Sequence, residues 1–203
     1  MRALIVLLAL LLPASAQAWV RVETPRFVVY GDGSAQQIER FARRVEDFDA
    51  LLRVVSGVKP DAEAVKLTIF VVGDQSAVRR VSTNTDNRSI AGFYKPLITG
   101  AIAVVPRVLG DGGQFDMDAQ TVLFHEYAHH FMLQHFPAAY PPWYVEGFAE
   151  YYSTTRFRDD GTVVVGAPAR HRAYSLSGTL SLPVPALLSD DPKALARVDV
   201  FSF

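Results

Sequence analysis

The chain has no cysteine. That absence excludes disulfide frameworks, thiol nucleophiles, iron-sulfur clusters and every Cys-ligated zinc site, so any metal here must be held by histidine and carboxylate. An excess of charge of either sign is also missing: 20 Lys+Arg stand against 21 Asp+Glu, for a formal net charge of -1. Such a balance gives no general attraction to nucleic acid phosphates or to an anionic bilayer, and nucleic acid is not expected as a partner. No apolar run is long enough to cross a membrane. The longest, residues 3–12, falls well short of the roughly 20 residues that a spanning helix needs. Repeats, low-complexity tracts and charge blocks are lacking too. Present instead is a hydrophobic content of 50% over 203 residues, enough to fill a core and to exclude wholesale disorder. The length suits a single domain.

Residues 1–18 read as a cleavable secretory signal. Arg2 supplies the positive start, the apolar run follows, Pro13 breaks it, and Ala16-Gln17-Ala18 has the small-x-small pattern of a cleavage site. The expectation is an exported protein, periplasmic or extracellular, with no stable membrane anchor after processing and a single domain over residues 19–203. The final residues, Val198 to Phe203, lie within an apolar pattern, which suggests a domain truncated at its C-terminal end.

Strand and helix signals alternate along this domain. Residues 20–30 are rich in β-branched and aromatic side chains and end at Gly31-Asp32-Gly33, predicting a strand and a turn. Ser34 then caps a helix in which Ile38, Phe41, Ala42, Val45, Phe48, Leu51, Leu52 and Val55 recur at helical spacing, with Gly57 as the stop. Residues 65–72 read as a strand, 74–81 as a short helix, 82–89 as an exposed loop and 100–105 as a further strand closed by Pro106. Asp111-Gly112-Gly113 gives a flexible joint. Asp118 caps a helix reaching to about Phe136, and Pro141-Pro142 set the start of another that runs to about Ser153. Residues 162–165 and 192–200 carry weaker extended signals.

The chemistry concentrates in His125-Glu126-Tyr127-Ala128-His129. Helical residues four apart differ by about 40° around the axis, so both imidazoles project from one face, one turn apart, as two ligands of one ion require. Glu126 lies about 100° round from His125, within reach of a water in an open coordination position, and this is general-base geometry. From the composition, roughly 0.004 chance occurrences of H-E-x-x-H are expected in a chain of this length, which makes coincidence a poor explanation. His130 projects away from the same face, and His135 reads as a favourable charge at a helix C-terminus.

The next helix supplies a third ligand. In Trp143-Tyr-Val-Glu146-Gly147-Phe-Ala149-Glu150-Tyr151, Glu146 can complete a His125, His129, Glu146 set for one Zn2+ ion. Gly147, with no side chain, is expected to let the two helices approach closely. Glu150 shares a face with Glu146 and can accept a hydrogen bond from the free ring N–H of a ligand histidine, fixing its tautomer.

These residues, His125-Glu126-x-x-His129 and Trp143-x-x-Glu146-Gly147-x-Ala149-Glu150-Tyr151, resemble the gluzincin branch of zinc metallopeptidases, and within it the exported bacterial peptidase MA-like domains. The resemblance is strongest over residues 122–152. It implies an α+β, zincin-like fold, a small mixed sheet whose edge strand runs over an active-site helix pair. It also implies that His125, His129 and Glu146 bind zinc and that Glu126 is the catalytic base in hydrolysing a peptide bond of a protein or peptide substrate. By the same analogy Gly100, Ala101, Ile102, Ala103 and Val104 form the edge strand along which extended peptide pairs. Aminopeptidase N-like members carry Gly-Ala-Met-Glu-Asn there, and the missing carboxylate in Gly100-Ala101-Ile102-Ala103-Val104 favours endopeptidase action. No oxyanion donor can be assigned, and His171 and Tyr174 are candidates only by their side-chain chemistry. That gap keeps open an alternative, an exported binding or assembly module that retains the fold without hydrolysis.

Overall fold

The computed structural model describes residues 19–59, 65–82, 90–109 and 118–172, together with Pro185 and Leu188. The signal segment, the loop over 83–89, the Asp111-Gly112-Gly113 joint, Tyr174 and the extended signal at 192–200 lie outside the described residues. So does the expected C-terminal truncation.

The fold is mixed α+β, a five-stranded mixed sheet with four helices among the described residues. Two strands replace the single one expected over 20–30: β1 (Val20–Glu23) and β2 (Phe27–Gly31), paired antiparallel. Pro25 sits in the link, where the Phe27 N–H turns back to the Thr24 hydroxyl at 3.1 Å. Helix α1 (Ala35–Ser56) follows, closed at both ends by local chemistry. Ser34 and Gln37 form a reciprocal capping box, and Gly57 takes the left-handed conformation at φ 67 that ends the helix. The chain returns as β3 (Leu67–Val72), parallel to β2, and α2 (Gln75–Val81) begins on an Asp74 cap.

The next pair of strands corrects an expectation. Phe93–Leu97 forms β4, antiparallel to β5 (Gly100–Pro106), and β5 is itself parallel to β3. The sheet order is β1-β2-β3-β5-β4. Gly100, Ala101, Ile102, Ala103 and Val104 are therefore an interior strand, bonded on both sides, and the edge is β4. Hairpin closure through Ile98-Thr99 is the physical reason, since it lays β4 outside β5. Pro96, which cannot donate to a ladder, is tolerated in β4 because that strand is an edge.

Helices α3 (Ala119–His135) and α4 (Pro142–Ser153) complete the layer. Asp118 caps α3 by accepting from the Thr121 N–H at 2.6 Å, and Pro142 occupies the first turn of α4, where a missing N–H costs nothing. One core joins Phe27, Val29, Leu67, Ile69 and Val105 of the sheet to Ile38, Val45, Phe48 and Leu52 of α1 and to Leu123, Phe124, Tyr127 and Phe131 of α3. Phe48 and Phe124 stack at 3.9 Å between ring centres. Because α3 is covered by the sheet, by α1 and by α4, its buried residues occur all round it rather than along one stripe. A two-residue ladder, β6 (Arg156–Phe157) with β7 (Val163–Val164), and a 3-10 turn at Arg170–Arg172 follow.

Candidate metal centre

The α3 face turned to α4 carries His125 and His129, whose Nε2 atoms lie 3.1 Å apart. Glu146, on α4, brings Oε2 to 3.3 Å from Nε2 of His125 and 3.7 Å from Nε2 of His129. A triangle with those edges has a circumradius of about 2 Å, so one atom can bond all three corners at the ~2.0–2.2 Å distances of divalent transition-metal sites. The group His125, His129, Glu146 could thus hold a metal ion. Both imidazoles are largely covered, with 15% and 13% of their side chains exposed, while Glu146 is 39% exposed. The cluster accordingly opens to solvent on the Glu146 side.

Glu126 is buried beneath the start of the edge strand. A Cβ at Gly92 would come within 2.5 Å of Val122 Cγ1 and 3.3 Å of Glu126 Cγ, so only a glycine lets the strand cross this close to the carboxylate. Burial pushes the Glu126 carboxyl up to about 7; the charge of Glu146 adds to this, while His125 and the backbone N–H of Tyr94 oppose it. The sequence holds no obvious signal for this contact, because Gly92 and Tyr94 are far from the pentapeptide along the chain.

The electrostatics of the metal-free cluster follow from crowding. Burial works against a charge on His125, but contacts to Glu146 and Glu150 outweigh it and lift the ring to about 9. His129 is driven down to about 4 by burial and by the neighbouring His125 cation. The pair therefore carries one proton at neutral pH. Hydrogen bonding to His125 holds Glu146 below the ordinary carboxylate range.

Glu150 faces the other nitrogen of the same ring: Oε2 lies 3.5 Å from Nδ1 of His125. Its opposite side meets Nε2 of His171 at 2.7 Å and Nε of Arg172 at 3.3 Å. Although burial opposes ionisation, His125, His171 and Arg172 together hold this carboxyl well below its usual value. His171 is thus directed at Glu150 through Nε2, where the sequence offered it only as a candidate oxyanion donor. His130 points away from the cluster, its Nδ1 at 3.3 Å from the Tyr94 hydroxyl, and His135 sits in the last turn of α3.

Gly147 does not do what its position suggested. It is exposed, and a Cβ built there meets nothing within 4 Å, so it is not what admits α4 to α3. The small residue on the face bearing Glu146 and Glu150 is Ala149, fully buried.

A further polar cluster anchors α3 from behind. Asp49 of α1 is completely buried, accepts the Tyr127 hydroxyl at 2.6 Å, and accepts from Arg53 Nε at 3.0 and 2.8 Å. Arg26 Nε lies 2.9 Å from the same carboxylate. Comparison of the chain with family models, with the curated proteins and with the solved structures gives no significant match.

Proposed function

We propose that the chain is an exported zinc-dependent peptidase with a zincin-like arrangement of sheet and helix pair, acting as an endopeptidase on protein or peptide substrates. The observation that carries this reading is the triangle of two imidazole nitrogens and one carboxylate oxygen beside a buried glutamate. Two imidazoles and a carboxylate are a donor set of catalytic zinc sites, which keep a fourth position open for water. Structural sites, by contrast, close that position. Zinc held here would supply Lewis acidity, polarising a carbonyl and making a water acidic near neutral pH.

The chain's own residues divide the remaining work. Glu126 takes a proton from the attacking water and passes it to the departing amide nitrogen; burial raises its basicity and so offsets the pull of a divalent ion toward the carboxylate form. Glu150 accepts from Nδ1–H of His125 and so leaves Nε2 as the ligating atom. Extended substrate pairs with β4, an edge of the sheet among the described residues, and the absence of an N–H at Pro96 confines that pairing to the Phe93–Lys95 end, beside Glu126. The edge offers no carboxylate to grip a free amine, which favours cleavage within a chain.

Zinc quantification on purified protein, with Glu146→Ala beside the wild type, tests the ligand set. Digestion of a peptide library with and without chelator tests the chemistry. One zinc per chain, lost in the variant, and cleavage that chelator abolishes and zinc restores are expected. Peptide cleavage indifferent to chelator would refute the mechanism.

A further inference from the structure

The turn at Arg170–Arg172 lays two side chains on a single carboxylate. Arg172 donates from Nε to Oε1 of Glu150 at 3.3 Å and from Nη2 to Oε2 at 3.5 Å, a two-pronged grip that sets the plane of the carboxylate. His171 Nε2 meets Oε1 at 2.7 Å. That leaves Oε2 as the oxygen facing Nδ1 of His125, at 3.5 Å. The last contact is long, and a glutamate free to sample its rotamers would leave it. Something else must hold Glu150 in place, and the two prongs of the guanidinium acting together with the 2.7 Å contact of His171 do so.

We propose that Arg172, assisted by His171, is a positioning residue of the metal centre. It fixes the Glu150 carboxylate against Nδ1 of His125, so that the ring presents Nε2 to the ion. The proposal rests on His125, His129 and Glu146 being the ligand set. A competing role for Arg172 is screening of the crowded carboxylates Glu126, Glu146 and Glu150. The two roles predict opposite outcomes, because a nearby cation by itself repels a divalent ion while a fork that fixes a ligand favours it.

Arg172→Lys keeps the cation and removes the fork, and Arg172→Ala removes both. Zinc affinity is measured by competition with a chromophoric chelator. The unfolding of each metal-free variant is followed in parallel, with Arg170→Lys, at an exposed position of the same turn, as control. Positioning predicts that Arg172→Lys binds zinc about tenfold more weakly than wild type, at the lower end for outer-sphere partners of metal-bound histidine. It further predicts that the metal-free fold is retained, that Arg170→Lys is unchanged, and that the slowly exchanging Nδ1–H signal of His125 in the zinc-loaded protein is lost. Wild-type affinity in Arg172→Lys, with tighter binding in Arg172→Ala, would make Arg172 a charge screen and overturn the proposal. An affinity loss that appears only where the metal-free protein is itself unfolded overturns it as well. Failure of the wild type to bind zinc would instead overturn the ligand set, and the positioning role with it.

Discussion

Zinc binding should expel protons in a number that depends on pH in a particular way. The metal-free cluster holds a proton on His125, lifted to about 9, and Glu126, lifted to about 7, holds another below neutrality. A ligand imidazole must be neutral, and a divalent ion beside Glu126 favours its carboxylate form, so binding releases both. At pH 6 nearly two protons leave per zinc. At pH 8 Glu126 is already ionised, so the protein groups release about one, from His125, and a zinc-bound water ionising near neutral pH would add its own. The sign for affinity follows: protons compete with metal wherever His125 is charged, so binding tightens as pH rises and levels off above about 9. At pH 7, two units below that value, the competition costs about 2.7 kcal/mol, or about 100-fold in affinity. Calorimetric titration of zinc into metal-free protein, in buffers of different ionisation enthalpy at each pH, counts the protons directly. Glu126→Gln should reduce the pH 6 count to about one. A wild-type count of zero at pH 6 would remove the basis for placing His125 in the ligand set.

Three further outcomes are expected. Glu126→Gln should retain zinc at wild-type stoichiometry yet lose at least about 100-fold in turnover on a peptide that the wild type cleaves, since general-base work is worth that much. Asp49→Ala leaves the buried Arg53 guanidinium without its carboxylate and should cost roughly 3–5 kcal/mol in urea unfolding, whereas Tyr127→Phe removes one hydrogen bond to that carboxylate and should cost about 1.5 kcal/mol. Gly147→Ala should stabilise the fold by about 0.5–1 kcal/mol, because alanine is the better helix former and its Cβ meets nothing; a destabilised variant would restore the idea that this glycine admits α4 to α3.

The elements that the sequence disclosed are those whose determinants are local. Ser34 and Gly57 bracket α1 through contacts within a turn of each end, Asp118 does the same for α3, and Pro142 starts α4. The pentapeptide is legible for the same reason: helical spacing alone puts His125 and His129 side by side. Features set by pairing were not. Whether a strand is an edge depends on which neighbours find it; the resemblance implies an edge at β5, and β4, whose Lys95 and Pro96 lack the alternation that marks a strand, gives no local sign that it lies outside. β1 and β2 read as one strand because apolar and aromatic residues continue on both sides of Pro25. Arg172 reaches Glu150 across 22 residues and Tyr127 reaches Asp49 across 78, and no spacing rule connects such pairs.

Those long-range pairs decide how firmly the centre is held. On a helix, residues two apart point about 200° apart, so imidazoles that share a face at 125 and 129 oblige Tyr127 to face the opposite way, into the core against α1. Its hydroxyl finds Asp49 there, and the helix that presents the imidazoles is fastened from behind by a buried ion-pair cluster. The two sides can be weighed against each other. Zinc at 100 times its dissociation constant stabilises the fold by about 2.7 kcal/mol. That exceeds the loss expected for Tyr127→Phe and falls short of, or at most barely matches, the loss for Asp49→Ala. Added zinc should therefore carry the phenylalanine variant past the unfolding midpoint of the metal-free wild type and leave the Asp49 variant below it. An Asp49 variant that zinc also brings to that midpoint would mean that the rear cluster does not fasten α3 to α1 as firmly as its burial and contacts indicate.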